Sequence, residues 1–132
     1  ATAAGSSPVV ADRTADHLTS SMLAADPATP SVLSAACTAA FFGENETLAS
    51  NASCGFDAAE PTGDVLGVDK QVNVTVRNLS ASPTTGPPVT RTVDGVNYTL
   101  TRGANNPASE VTVASRAVMI EGDQYRFVVK VW

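Results

Sequence analysis

The chain is poor in the residues that most chemistry requires. Its 132 residues include one histidine, two cysteines, two lysines and one tryptophan, and aromatic residues make up 5% of the total. Lys and Arg together number 8 against 13 Asp and Glu, a net charge of -5. The arginines stand singly at positions 13, 77, 91, 102, 116 and 126, so no basic cluster exists to release counterions from phosphates. That argues against nucleic acid as a partner. No run approaches the roughly 20 apolar residues that a membrane-crossing helix needs. No basic segment followed by an apolar one marks a retained signal peptide either. The expectation is an exported chain whose signal has been removed, or the soluble part of a longer one.

Catalytic patterns are missing as well. The sequence contains no G-x-S-x-G, G-x-x-x-x-G-K-[ST] or G-x-G-x-x-G segment, which removes the nucleophile-elbow and phosphate-loop readings. His17, the sole histidine, follows Asp12, Arg13 and Asp16 at helical spacings, a pattern typical of a solvated helix face. The acidic loop "DAAEPTGDVLGVDK" offers Asp57, Glu60, Asp64 and Asp69 as oxygen ligands but lacks the alternating spacing of an EF-hand. A hydrated loop is the ordinary reading; a calcium site and a glycosidase-type carboxylate pair are the alternatives. The expected inventory is therefore no catalytic residue, no metal and no cofactor, with a small hydrolase using His17 as a third-ranked function.

What the chain does have is hydroxyl groups and acceptor asparagines. Fifteen Thr and twelve Ser accompany seven Asn. Chance would produce about one or two Asn-x-Ser/Thr triplets at that composition, yet five occur, at Asn45, Asn51, Asn73, Asn78 and Asn97. Selection for N-glycosylation and compositional accident both stand as explanations. Cys37 and Cys54 fit neither a zinc nor a C-x-x-C pattern, so they read as one disulfide, with two separate buried thiols as the alternative. The bridge would close a loop of about 17 residues carrying Asn45 and Asn51 and contribute about 3 kcal/mol. Both features place the chain outside the cytoplasm, at the cell surface. Acidity with few lysines also matches proteins of salt-loving organisms, though many secreted mesophilic domains are mildly acidic too.

Hydrophobic spacing divides the chain into a flexible lead-in, residues 1–8, and one domain, residues 9–132. Residues 9–42 are expected to be helical: Leu18, Met22 and Ala25 recur at helical spacing. "DPATP" breaks that helix, and Ser31 caps a second one, "SVLSAACTAAFF". Residues 43–69 form the disulfide loop. Residues 70–132 change to a period of two, with Val72, Val74 and Val76 on one face and Asn73 and Thr75 on the other. "ASPTTGPP" is a loop. Asp94-Gly95 supplies a type I′ hairpin turn, placing Thr90, Thr92, Asn97, Thr99 and Thr101 opposite Val93, Val96 and Leu100. Gly122-Asp123 suits a type II′ turn, with Ile120 and Val118 on the face of Tyr125, Phe127, Val129 and Val131. Asn73 and Asn97 thus fall away from the valines, where a glycan could stay in water. The fold class expected is α+β, with N-terminal helices packed on an antiparallel sheet of about five strands.

Three stretches, "VADRTADHL", "CTAAFF" and "ASRAVMIEGDQYRFVVKVW", together resemble a family of small haloarchaeal proteins that look like type IV pilins or pseudopilins. The resemblance implies a pilin-like head domain in which Val10, Leu18 and Met22 face the sheet and glycans coat the outer wall. It implies further that fuller members begin with a hydrophobic N-terminal helix, absent from this sequence, through which alone the membrane would be reached. The partners implied are other pilin subunits or envelope proteins, beside the N-linked glycans. The leading expectation is a non-enzymatic, glycosylated subunit or minor pilin of a surface filament, presenting a hydrated head for assembly or adhesion. The alternative is a secreted, envelope-attached β-rich module that recognises carbohydrate or protein.

Overall fold

A computed structural model describes residues 7–26, 28–80, 87–103 and 111–132. Of the expected lead-in, residues 1–8, positions 1–6 lie outside the described residues, and so do positions 81–86 of the expected loop, residues 81–88; the last two lead-in positions begin the first helix. The first helix, α1, covers Ser7–His17. Its Ala11, Ala15 and Leu18 positions repeat every three or four residues and are fully buried, so the small alanines let the helix approach the core closely. The helix then widens into a single π-helical turn, Leu18–Met22, in which the Leu23 N–H donates to the Leu18 carbonyl at 3.0 Å. Hydroxyl groups compete for the carbonyls here: Thr19 donates to Ala15 O at 2.8 Å, and Ser20 donates to Asp16 O.

The second predicted helix starts later than expected. Val32–Leu33 form a two-residue strand, β1, and Ser31 has a φ of 69° with its N–H donating to Thr19 O at 3.0 Å. The capping residue is Ser34, whose hydroxyl accepts from Cys37 N at 3.2 Å at the head of α2, Ala35–Phe42. The supposed loop holds two short helices, α3 (Glu46–Asn51) and α4 (Thr62–Leu66). Six further strands follow: β2 (Val72–Asn78), β3 (Thr90–Val93), β4 (Val96–Thr99), β5 (Thr101–Gly103), β6 (Thr112–Ile120) and β7 (Asp123–Val131).

Five strands form one sheet in the order β1-β6-β7-β2-β5, and β3 and β4 make a separate hairpin. Period-two alternation places Val72, Val74 and Val76 opposite Val131, Val129 and Phe127. These six side chains join α1 and the α2 residues Phe41 and Phe42 in one buried cluster. Both hairpin turns are of the two-residue kind with positive φ at both positions: 52° and 80° at Asp94-Gly95, 49° and 86° at Glu121-Gly122. The second turn lies one residue earlier than the sequence suggests. Pairing therefore slips by two residues, to Ile120↔Asp123 and Val118↔Tyr125, and an even slip leaves every side chain on its expected face.

The expected fold class is corrected by this topology. The protein is mostly β; its helices are short and do not form a layer on an antiparallel sheet. The sheet is mixed because β1 runs parallel to β6 through Val32↔Met119 and Leu33↔Ile120. Beyond α1, the helices span eight, six and five residues. Ala39 and Ala40 of α2 and Leu48 and Ala49 of α3 build a satellite cluster against Val93 and Tyr98 of the β3–β4 hairpin. The physical reason is that Gly43, the capping Asn45 and Pro61 break the segment before any long apolar face can develop.

Arginines on the strands hold the peripheral pieces in place. Arg102 of β5 shares the core face with its partner Val74, and only 1% of its side chain is exposed. It donates to Phe41 O (2.8 Å), Glu60 O (2.6 Å) and Thr62 Oγ1 (3.0 Å), and lies 4.8 Å over the Phe41 ring. Burial lowers its pKa, an effect the nearby Glu44 charge partly opposes. Arg91 of β3 reaches the β6–β7 turn, meeting Glu121 at 2.7 Å, Asp123 at 3.2 Å and the Tyr125 hydroxyl at 2.7 Å. Burial would lower the Arg91 pKa, but the hydrogen bonds to Glu121, Asp123 and Tyr125 outweigh it and raise it. Arg116 of β6 bridges to Asp16 at 3.0 Å and Asp12 at 3.4 Å on α1.

These contacts differ in how water screens them. Replacing Arg102 with Met strands the buried Phe41 carbonyl and removes the bond to Glu60 O, and is expected to cost about 2–3 kcal/mol. Arg91→Met removes pairs whose acids are 60% and 67% exposed and should cost about 1 kcal/mol or less, shrinking at high salt to what the Tyr125 hydrogen bond contributes. Urea unfolding of both variants at low and high ionic strength measures the contrast; equal losses would contradict it.

Candidate functional site

Cys37 and Cys54 are bonded, with their Cα atoms 5.6 Å apart across 17 residues of chain. Cys37 sits in the first turn of α2, and Cys54 follows the last turn of α3, so the bond staples the two helices at their joint. The single-disulfide reading of the sequence therefore holds, and the alternative of two separate thiols falls. Reducing the bridge is expected to lower stability by about 3 kcal/mol. A Cys37→Ser/Cys54→Ser variant should reproduce that loss in denaturant; an unchanged midpoint would show the staple to be idle.

The five acceptor asparagines occupy unequal environments. Asn51, Asn78 and Asn97 are exposed, at the end of α3, the end of β2 and the outer face of β4. Thr90, Thr92 and Thr99 are exposed on the same hairpin as Asn97, whereas Thr101, also exposed, lies on β5 opposite Thr75. Asn45 is half-buried and spends both ends of its amide. Its Oδ1 accepts from Leu48 N at 3.1 Å, capping α3, while its Nδ2 donates to the Tyr98 hydroxyl at 3.2 Å. That nitrogen is the atom a glycan would occupy.

Asn73 is half-buried in a central strand, between Lys130 of β7 and Gly103 of β5. Its Oδ1 accepts from the Thr75 hydroxyl at 2.8 Å. The side of the sheet away from the valine core is itself largely buried here. Thr75, Val128 and Lys130 are at most 3% exposed, and Arg77 is at 7%. Burial lowers the pKa of Lys130, with the neighbouring Arg77 charge adding to the effect, and burial lowers Arg77 as well. The expected sorting of a valine face from a watery face thus describes Asn97 but not Asn73. Expressed with an N-glycosylation machinery, the chain is expected to carry glycan at Asn51, Asn78 and Asn97 and to leave Asn73 bare. Site-resolved glycopeptide mapping reads this directly, and a fully occupied Asn73 would refute it.

His17 closes α1 and is exposed, with no hydrogen bond to a described residue. Asp12 and Asp16 turn instead toward Arg116. The acids of the loop stay apart: Asp57 accepts from Ala59 N at 3.0 Å, and Asp64 lies in the first turn of α4. Among the described residues, no group of three or more His, Cys, Asp or Glu converges to hold a metal ion.

A convergence that sequence reading overlooked is a cleft of about 730 Å³ between α1 and the chain from Leu66 to Lys70. Val10, Arg13, Thr14, Asp16 and His17 make one wall, and Gly67, with φ 67° at the end of α4, turns the chain to make the other. No sequence motif marks this convergence, because its walls lie about fifty or more positions apart.

No curated protein and no solved structure matches the chain. A family model does match, over residues 1–132, and by that match the chain belongs to the Family of unknown function (DUF7287).

Proposed function

We propose that the chain works outside the cytoplasm as a non-enzymatic, glycan-bearing structural domain, and that it serves as a subunit of a haloarchaeal surface filament. The single observation that carries the extracytoplasmic reading is the Cys37–Cys54 bridge, since a lone structural disulfide persists where thiols are kept oxidised. Exposure of Asn51, Asn78 and Asn97 supports the glycan reading. The filament assignment rests on the sequence resemblance, and its partners would be further subunits of the same kind. The domain's use there would be mechanical: a stapled, arginine-tied body that keeps its shape while presenting a hydrated wall.

A second reading, an envelope-attached binding module, is favoured by one specific observation, the cleft between α1 and residues 66–70. Clefts of a few hundred Å³ with mixed apolar and polar walls are where small ligands bind.

Shearing native cells separates the two. The filament reading expects the chain in the sheared fraction, with an intact mass above the peptide mass by glycan increments and no alkylatable thiol. Recovery with the washed envelope instead supports the binding module. Recovery from the cytoplasm with both thiols free overturns the extracytoplasmic reading altogether.

A further inference from the structure

The cations of this acidic chain are nearly all spent on the fold. Arg91, Arg102 and Arg116 form the ties described above, and Arg126 donates to Leu79 O at 3.1 Å. Arg77 and Lys130 are buried on the far side of the sheet, and each has interactions of its own. That leaves Arg13 and Lys70, neither of which makes a hydrogen bond or ion pair with a described residue. Both line the same cleft, and so does His17, the only histidine. Fifty-seven positions separate Arg13 from Lys70 in the chain, and only the docking of α1 beside the residues after α4 brings them together.

The balance of charge inside the cleft favours an anion. Of its two acids, Asp16 is already held by Arg116 at 3.0 Å, which leaves Asp69 alone against Arg13 and Lys70. His17 adds a ring N–H donor in either protonation state. Beside Thr14 and Gly67 the wall carries Val10, Leu66 and Val68, partly buried hydrophobic residues continuous with the core. Cationic and apolar side chains in one cleft suit a molecule with an acid group at one end and hydrocarbon at the other.

We infer that the cleft between α1 and residues 66–70 binds a small amphiphilic anion. The acid group would sit against Arg13, His17 and Lys70, with its hydrocarbon on Val10, Leu66 and Val68. The acid can belong to a free metabolite or to the headgroup of a lipid; the shared chemistry is a monoester-type or carboxylic oxyanion joined to an apolar chain. The inference stands independently of the filament assignment.

The test is an amide-shift titration of the full chain by NMR with octyl phosphate, inorganic phosphate and octylammonium in parallel. Octyl phosphate is expected to give saturable shifts confined to α1 and residues 66–70. Inorganic phosphate should bind at least about tenfold more weakly for want of the apolar contacts. Octylammonium should leave those amides unmoved. Equal binding by inorganic phosphate, shifts from octylammonium at the same residues, or no saturation with octyl phosphate would each overturn the inference. Arg13→Ala/Lys70→Ala should weaken octyl phosphate by about tenfold or more while keeping the wild-type unfolding midpoint, because neither side chain ties the fold. Undiminished binding by that variant is likewise fatal. Octyl phosphate micelles would shift the same residues only above the critical micelle concentration if the natural source were a membrane headgroup. Saturation well below that concentration points to a free ligand.

Discussion

A buried arginine must find acceptors, and Arg102 takes them from three separate stretches of chain. Its guanidinium collects the carbonyl at the end of α2, the carbonyl of Glu60 and the hydroxyl of Thr62, all from a three-residue edge strand. A desolvated cation tolerates no vacancy among its partners, so the three positions are fixed against β5 and, through Val74, against the valine core. Fixing Thr62 fixes α4, and fixing α4 decides where Gly67 turns the chain. The wall formed by Leu66–Lys70 follows from that turn. The cleft thus inherits its shape from a buried polar anchor at the other end of α4.

The hairpin β3–β4 depends on a similar arrangement at lower cost. The Tyr98 ring packs close against Gly43, where a Cβ would stand 2.5 Å from it, and its hydroxyl accepts from the Asn45 amide. Arg91 holds the other side to the β6–β7 turn through exposed carboxylates. One tie is steric and uncharged, the other exposed and ionic, so ionic strength loosens only one of them. The exposed threonine face and Asn97 ride on this hairpin, which makes it the part of the molecule most able to carry bulky modification without disturbing the core.

Much of the second half of the chain is legible as a sequence because its signals are local. Alternation placed Val72, Val74 and Val76 on one face, Asp94-Gly95 set a two-residue turn, and two lone cysteines in a non-zinc spacing made one bridge. Even the misplaced second turn did no harm to the face assignment, since its displacement shifted pairing by an even number of residues. The first half was read less well. Val32–Leu33 sits in a helical-looking run, and its strand conformation is set by pairing with Met119 and Ile120, some eighty-seven positions away. Asn45 looked like a glycan acceptor in a loop, and its role as a helix cap appears only once Leu48 N is in place.

By itself, the sequence determined the acidic, lysine-poor surface, the oxidised pair of cysteines, the valine face and the threonine-rich hairpin, because each rests on residue chemistry or on a period of two. Tertiary structure alone decided that the sheet is mixed, that Asn73 is hemmed in while Asn97 is open, and that Arg13 and Lys70 share a cleft. Those outcomes depend on which distant segments come into contact, and contact between distant segments is settled by burial of the whole core and by the needs of its buried cations, which no local pattern records.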